Sequence, residues 1–229
     1  MDEITRIKTA YAKRDSGNKK VLYSAFKTDS LFICQQREKA LIGLLKKHGI
    51  TDLSDKRILE IGCGKGNVLR DFISYGARPE NCYGIDLLPD RIEEAVRLSP
   101  NINFRCCSAE NIICGDEELD IALVFTVFTS ILDMAMKKRI ACEILRILKP
   151  GGIIIWYDYH MDNPSNPDVR GVRKKEIYSL FPGCEIHLKR VTLAPPLARA
   201  ISPVSVILAQ IVEKIPFLCT HYIGIIRKA

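Results

Sequence analysis

The 229-residue chain lacks the marks of several function classes. None of its nine cysteines stands at CxxC spacing from another, which excludes a zinc ribbon and a thioredoxin-type redox motif. Most lie in apolar stretches, where a free thiol acts as a small hydrophobe, and the expectation is reduced core cysteines. No metal site is expected. No segment reaches the roughly 18 uninterrupted apolar residues that a membrane span needs. The opening MDEITRIKTAYAKRD is charged throughout and has no apolar core of a secretory leader. The expectation is therefore a cytoplasmic protein without a membrane span. Aromatic residues make up only 7% of the chain, which gives no stacking platform for nucleic acid. Internal repeats and low-complexity tracts are absent.

What is present is ordinary globular material. Hydrophobic residues are 47% and charged residues 27%, which excludes a disordered or collagen-like chain, and this length can bury a substantial core without staples. The net charge of +7 is unevenly spread: +6 over residues 1–57, −4 over 58–159 and +5 over 160–229. Basic flanks of this kind are usually solvated faces.

Residues 1–57 read as helical, with Leu31, Phe32, Cys34, Leu41, Leu44 and Leu45 at near-helical spacing. Short apolar runs then alternate with helical patterns. Ile58–Ile61, Tyr83–Asp86, Ile102–Cys106, Asp120–Phe125 and Ile153–Tyr157 read as strands, followed by Glu185–Val191 and His221–Ile226. Such alternation predicts an α/β fold: a doubly wound, seven-stranded, mostly parallel sheet with helices on both faces. Residues 1–56 are read as a helical extension covering a ligand, and 57–229 as the main domain.

One connection, 192–219, is too long for a simple crossover. Ser202-Pro203 reads as an N-cap followed by proline at the first helical position. The predicted helix, Val204 to Val212, is apolar nearly all round, so it is either buried or set against something greasy. Its uncharged stretch from Ala200 to Val212 is too short to cross a bilayer.

The most informative residues directly follow the first strand: Glu60-Ile61-Gly62-Cys63-Gly64-Lys65-Gly66. Glycines there permit a tight turn and close approach of a ligand to the main chain, and the next helix aims its free N–H groups at that ligand. Asp86 ends the second strand, where a carboxylate can accept hydrogen bonds from both hydroxyls of a ribose. The spacing is GxGxG, with Asn67 where a dinucleotide GxGxxG needs glycine, which weighs against a pyrophosphate cofactor.

Together these segments resemble the class I S-adenosylmethionine-dependent methyltransferases. ILEIGCGKGN looks like their motif I, YGIDLLPDRIEEA like motif II, FRCCSAENI like motif III, and ILKPGGIIIWYDY like the strand-five signature. HYIGIIRK stands where the family has an antiparallel last strand. The resemblance implies the Rossmann-like methyltransferase fold with S-adenosyl-L-methionine as cofactor and S-adenosyl-L-homocysteine as product. By position, it places Gly62, Gly64 and Gly66 around the methionine part, with Glu60 organising the loop. It puts Asp86 on the ribose, Leu87 on the adenine ring, and Ala109 and Glu110 at the adenine border. Phe125 would lie near the sulfonium. Tyr11, Arg14 and Tyr23 of the amino-terminal helices would fold over the cofactor, and the tyrosines can bond its carboxylate.

The resemblance leaves the acceptor open. Strand four ends in Phe125-Thr126-Val127-Phe128, not in the Asp/Asn-Pro-Pro-aromatic motif of the amino-methylating nucleic-acid enzymes, and no Pro-Cys dipeptide supports cytosine C5 chemistry. Asp158 and His160 end the fifth strand and His221 begins the last, so all three should meet at the sheet's carboxyl edge. A histidine there suits proton removal from a hydroxyl at neutral pH. The reading is methyl transfer to a small-molecule acceptor, a sugar or secondary metabolite, with oxygen slightly favoured over nitrogen. The 192–219 insertion is read as the lid, and its apolar surface suits an acceptor with a hydrophobic part or a homodimer contact. Arg170, Arg173, Lys174 and Lys175 could meet an anionic part. The alternatives are an RNA or protein methyltransferase recruited by the basic flanks, and a non-catalytic cofactor-binding subunit.

Overall fold

The central apolar runs, Ile58–Ile61, Ile121–Phe125 and Ile153–Tyr157, become strands because they are covered on both faces. The computed structural model describes residues 2–15 and 24–229. Two helices open the chain, α1 (Glu3–Asp15) and α2 (Thr28–Lys47). Then come β1 (Ile58–Ile61), α3 (Asn67–Ser74), β2 (Cys82–Asp86), α4 (Pro89–Leu98), β3 (Asn103–Cys106), β4 (Leu119–Phe125), α5 (Met134–Ile147) and β5 (Leu148–Tyr159). The last part holds α6 (Lys174–Leu180), β6 (Glu185–Leu193), α7 (Pro195–Ile201), α8 (Val206–Glu213) and β7 (Cys219–Arg227).

The seven strands form one sheet in the order β3-β2-β1-β4-β5-β7-β6. Strands β1 to β5 pair in parallel, and β7 runs antiparallel between β5 and β6. Alternation along β5 sends Ile154 and Trp156 into one core with Ile140, Ile144 and Phe181, and Ile153, Ile155 and Tyr157 into the other with Leu41, Leu69 and Phe72. The order reverses between β1 and β4, and there the carboxyl ends of the strands splay apart and leave a crevice.

The insertion departs from expectation in one respect. Pro195 and Pro196 open a helix, α7, which a proline pair can do because first-turn N–H groups have no intrahelical partner. Ser202 closes α7 instead of capping the next helix, and Ser205 caps α8 by accepting from the Leu208 N–H at 3.2 Å. Among the described residues, no helix is long and apolar enough to cross a membrane.

Candidate active site

The loop after β1 is built on left-handed glycines. Gly62, Gly64 and Gly66 have φ of 66°, 53° and 75°, a region that costs L side chains steric strain. Gly66 is doubly constrained, since a Cβ there would stand 2.6 Å from the Phe104 ring. A Cβ at Gly64 would meet open space. Cys63 is buried against Gly84, and burial pushes its thiol above the ordinary range; it is a packing residue and no nucleophile.

Asp86 locks the loop to the neighbouring strand. One carboxylate oxygen accepts from the Gly64 N–H at 2.8 Å and the other from the Leu88 N–H at 3.0 Å. Each oxygen retains a further lone pair, and the carboxylate lines a cavity of about 280 Å³. Gly62, Leu87, Ala109 and Phe125 line the same cavity, so five of the residues expected at the cofactor meet in one place. Glu60 does not reach it. Its side chain is buried behind the loop, burial drives its carboxyl well above the usual range, and its Oε2 has no hydrogen-bond partner. Gly64 and Gly66 are not among the cavity's lining residues. Glu110 is a correction, because its carboxylate turns away to pair with Arg139 at 2.5 Å in a separate cleft. Tyr23 lies outside the described residues.

The cover comes from α1, whereas no residue of α2 lines the cavity. Ile7, Tyr11 and Arg14 form its roof. The helix is fastened to the loop after β4: Arg6 donates to the Ser130 carbonyl at 2.6 Å, the Tyr11 hydroxyl meets Ser130 Oγ at 3.0 Å, and Glu3 accepts from the Leu132 N–H at 2.5 Å. The Tyr11 ring lies near two guanidinium groups, Arg14 at 4.7 Å and Arg91 at 4.4 Å from its centroid.

The opposite wall is Thr126, Val127, Ser130, Ile131, Met136 and Ile140. None of these was anticipated as site lining, and Arg91 was not singled out either. Arg91 and Met136 do share a legible signal: both sit in the first turn of a helix that begins at the carboxyl edge. Thr126 has φ of 56°, which is strained for a β-branched residue. Its N–H donates to the Tyr157 carbonyl at 2.7 Å, and this tether turns the chain across the cavity mouth.

The three residues expected to do chemistry part company. Asp158 is fully buried, and its carboxylate accepts from the Thr129 N–H at 3.1 Å, the Thr129 hydroxyl and the Tyr159 N–H at 2.8 Å. Burial pushes it up to about 6. It therefore shapes the β4 loop, which corrects its assignment as a reacting group. His221 is 3% exposed and packs against the Tyr157 and Tyr159 rings at 4.6 and 3.7 Å. Burial drops its pKa to about 3, which makes it a weak proton acceptor at neutral pH; this too corrects the expectation. His160 is half-buried and its Nε2 lies 2.9 Å from the Cys219 carbonyl. A carbonyl only accepts, so Nε2 carries the proton and Nδ1 is left as an acceptor. Desolvation lowers its pKa, which keeps the ring neutral near pH 7. None of the three lines the cavity.

A family profile described as a methyltransferase domain matches residues 59–156. The chain is 29% identical over 114 residues to a phthiotriol/phenolphthiotriol dimycocerosates methyltransferase of Mycobacterium ulcerans, covering 49% of this chain and 41% of that protein. It is 30% identical over 112 residues to the tRNA N(3)-cytidine methyltransferase of Gallus gallus, covering 45% and 30%. The geranyl diphosphate C-methyltransferase of Streptomyces coelicolor, solved with S-adenosyl-L-homocysteine, superposes with a TM-score of 0.61 at 16% identity over 84% of this chain and 81% of that one. Residues 59–156 are a class I S-adenosylmethionine-dependent methyltransferase domain. The chain spans well under half the length of the curated relatives it matches.

The methyltransferase cavity gives a direct test of its roof. Tyr11→Ala removes a hydrogen bond and the ring between two guanidinium groups, which together are worth about 1.5 kcal/mol. Binding of S-adenosyl-L-homocysteine, followed by calorimetry, should weaken roughly tenfold while the melting temperature stays within a few degrees.

Proposed function

We propose that the protein transfers the methyl group of S-adenosyl-L-methionine to a hydroxyl of a small acceptor with an apolar part. The observation that carries this reading is the cavity between α1 and the β4 loop, which Asp86, Leu87, Ala109 and Phe125 line together. The residues fit the cofactor. Asp86 has lone pairs to receive the ribose diol, Leu87 and Ala109 offer an apolar slot for adenine, and Gly62 lines the cavity where the methionine part would lie. When bound, the sulfonium supplies an electrophilic methyl carbon that needs no strong base to leave.

The chain's own task is then mostly placement, holding the acceptor oxygen in line with the methyl carbon. Phe125 presents an apolar wall there, and α1 covers one side of the cavity. His160, neutral and with Nδ1 left as an acceptor, lies outside the cavity lining and is the base for an acceptor hydroxyl that extends beyond it. His160→Ala should lower turnover by roughly a hundredfold and leave S-adenosyl-L-homocysteine affinity unchanged; near-normal turnover would remove it from the mechanism.

The reading is tested by supplying methyl-tritiated S-adenosyl-L-methionine with small-molecule extracts, bulk tRNA and protein in separate reactions. Label in the small-molecule fraction is expected. Label confined to tRNA or protein would replace the acceptor class, and none anywhere despite cofactor binding would favour a non-catalytic subunit. The same counting with transfer at high salt adds a check, because RNA affinity falls steeply as salt rises.

A further inference from the structure

The insertion between β6 and β7 leaves an apolar face uncovered. α8 turns Ala209 inward, where it packs with Phe32, Leu193 and Ala198. Its outer side carries Ile207, 71% exposed, with Leu208 and Ile211. Val204, 84% exposed, stands one turn ahead, and Phe217, 71% exposed, follows the helix. Single exposed apolar residues are ordinary, but these five, joined by Val206 and Ile215, form a stretch within 204–217 of the kind that marks a docking surface.

The charge around this patch is mostly basic, although Asp29 of α2 pairs with Arg199 of α7 at 3.6 Å. Glu213 is the one acidic residue of 192–219, and its carboxylate is turned inward, accepting from the Thr192 and Leu193 N–H groups at 3.1 and 3.4 Å. Lys39 and Lys189 lie near enough to Glu213 to act on its titration, and Lys189 and Arg190 act likewise on Cys219. Lys214 follows α8 directly. Among the described residues, Lys39, Lys189, Arg190 and Lys214 form no ion pair. The insertion thus offers exposed apolar side chains beside a border that carries more basic than acidic groups.

We propose that this insertion is an interfacial anchor for an anionic lipid bilayer. Val204, Ile207, Leu208, Ile211 and Phe217 enter the headgroup boundary, and the basic border meets lipid phosphates. A second copy of the chain is the poorer occupant, because a two-fold contact through this face would bring two positive borders together. The insertion joins the end of β6 to the start of β7 and so lies at the carboxyl edge of the sheet, where the methyltransferase cavity opens. Docking there would hold that edge toward the membrane surface. The inference goes beyond the activity proposed above and does not need the acceptor to be a lipid.

The full chain is sedimented with sucrose-loaded vesicles of phosphatidylcholine alone and of phosphatidylcholine mixed with phosphatidylglycerol. Binding to the anionic vesicles, weakened by added salt and weak on the neutral ones, is the expected result. The double variant Ile207→Glu with Phe217→Glu changes only exposed side chains, so it should melt like wild type and partition at least roughly tenfold less. Lys189→Gln with Arg190→Gln and Lys214→Gln should erase the preference for anionic lipid. A chain that stays in the supernatant with both vesicles overturns the proposal, as does equal partitioning of the wild type and the double variant. A dimer in sedimentation velocity that Ile207→Glu abolishes, without vesicle binding, also overturns it and assigns the face to a second copy.

Discussion

Asp86→Ala should weaken S-adenosyl-L-homocysteine binding by at least roughly a hundredfold, measured by calorimetry. The residue has two duties. Its oxygens anchor the Gly64 and Leu88 N–H groups, and they face the cavity with lone pairs to spare. A ribose diol held by a carboxylate makes two charge-assisted hydrogen bonds, worth about 1.5–3 kcal/mol each. The loss of the loop anchor adds to this, since Gly64 is then free to leave its left-handed conformation. Asp86→Asn keeps the shape but offers one accepting oxygen and should fall between the two. The two duties separate in melting curves. Without ligand the Ala variant should lose only a few degrees, but the rise in melting temperature that saturating S-adenosyl-L-homocysteine gives the wild type should largely vanish. A ligand-induced rise equal to that of wild type would remove Asp86 from the binding site.

This site was legible in the sequence because its chemistry is local. A strand, a three-glycine turn and a helix occupy residues 58–74 without interruption, and each glycine reports a backbone state that few other residues adopt. Asp86 could be read in the same way from the end of its strand. The core strands were equally plain, since Ile153–Tyr157 and Ile121–Phe125 are buried on both faces and so carry unbroken apolar runs. What escaped depends on partners distant in sequence. Nothing near His221 says that Tyr157 and Tyr159, two residues apart on the paired strand, close over its ring. Nothing near Glu110 announces Arg139. The roof over the cavity was anticipated from Tyr11 and Arg14, but its fastening to Ser130 spans more than a hundred residues. In the insertion the misreading was local. Ser202-Pro203 looks like a start, while capping geometry makes Ser202 an end and Ser205 the start.

Asp158→Ala should be the most destabilising change near the site, although Asp158 touches no part of the cavity. Its carboxylate reaches from β5 to Thr129, and Thr129 precedes Ser130, the residue to which α1 is fastened. Truncation takes away the acceptor of the buried Thr129 N–H and hydroxyl, at a cost of about 3 kcal/mol, or roughly 6–12 °C in melting temperature for a chain of this size. Because the β4 loop carries Thr126, Val127 and Ser130 into the cavity wall, S-adenosyl-L-homocysteine affinity should fall with stability. In an unrelated core position the two would not move together. The pH dependence gives a separate signature. Burial raises the folded carboxyl to about 6 from an ordinary 3.8, so the folded protein holds this proton more tightly than the unfolded chain. The contribution of Asp158 to stability is therefore complete below about pH 4 and declines as pH rises through 6. Asp158→Asn cannot titrate and lacks that decline, so the stability difference between wild type and this variant should shrink from pH 4 to pH 7 in urea titrations. A difference that stays constant over that range would place the Asp158 proton elsewhere and leave its hydrogen bonds to Thr129 as its whole contribution.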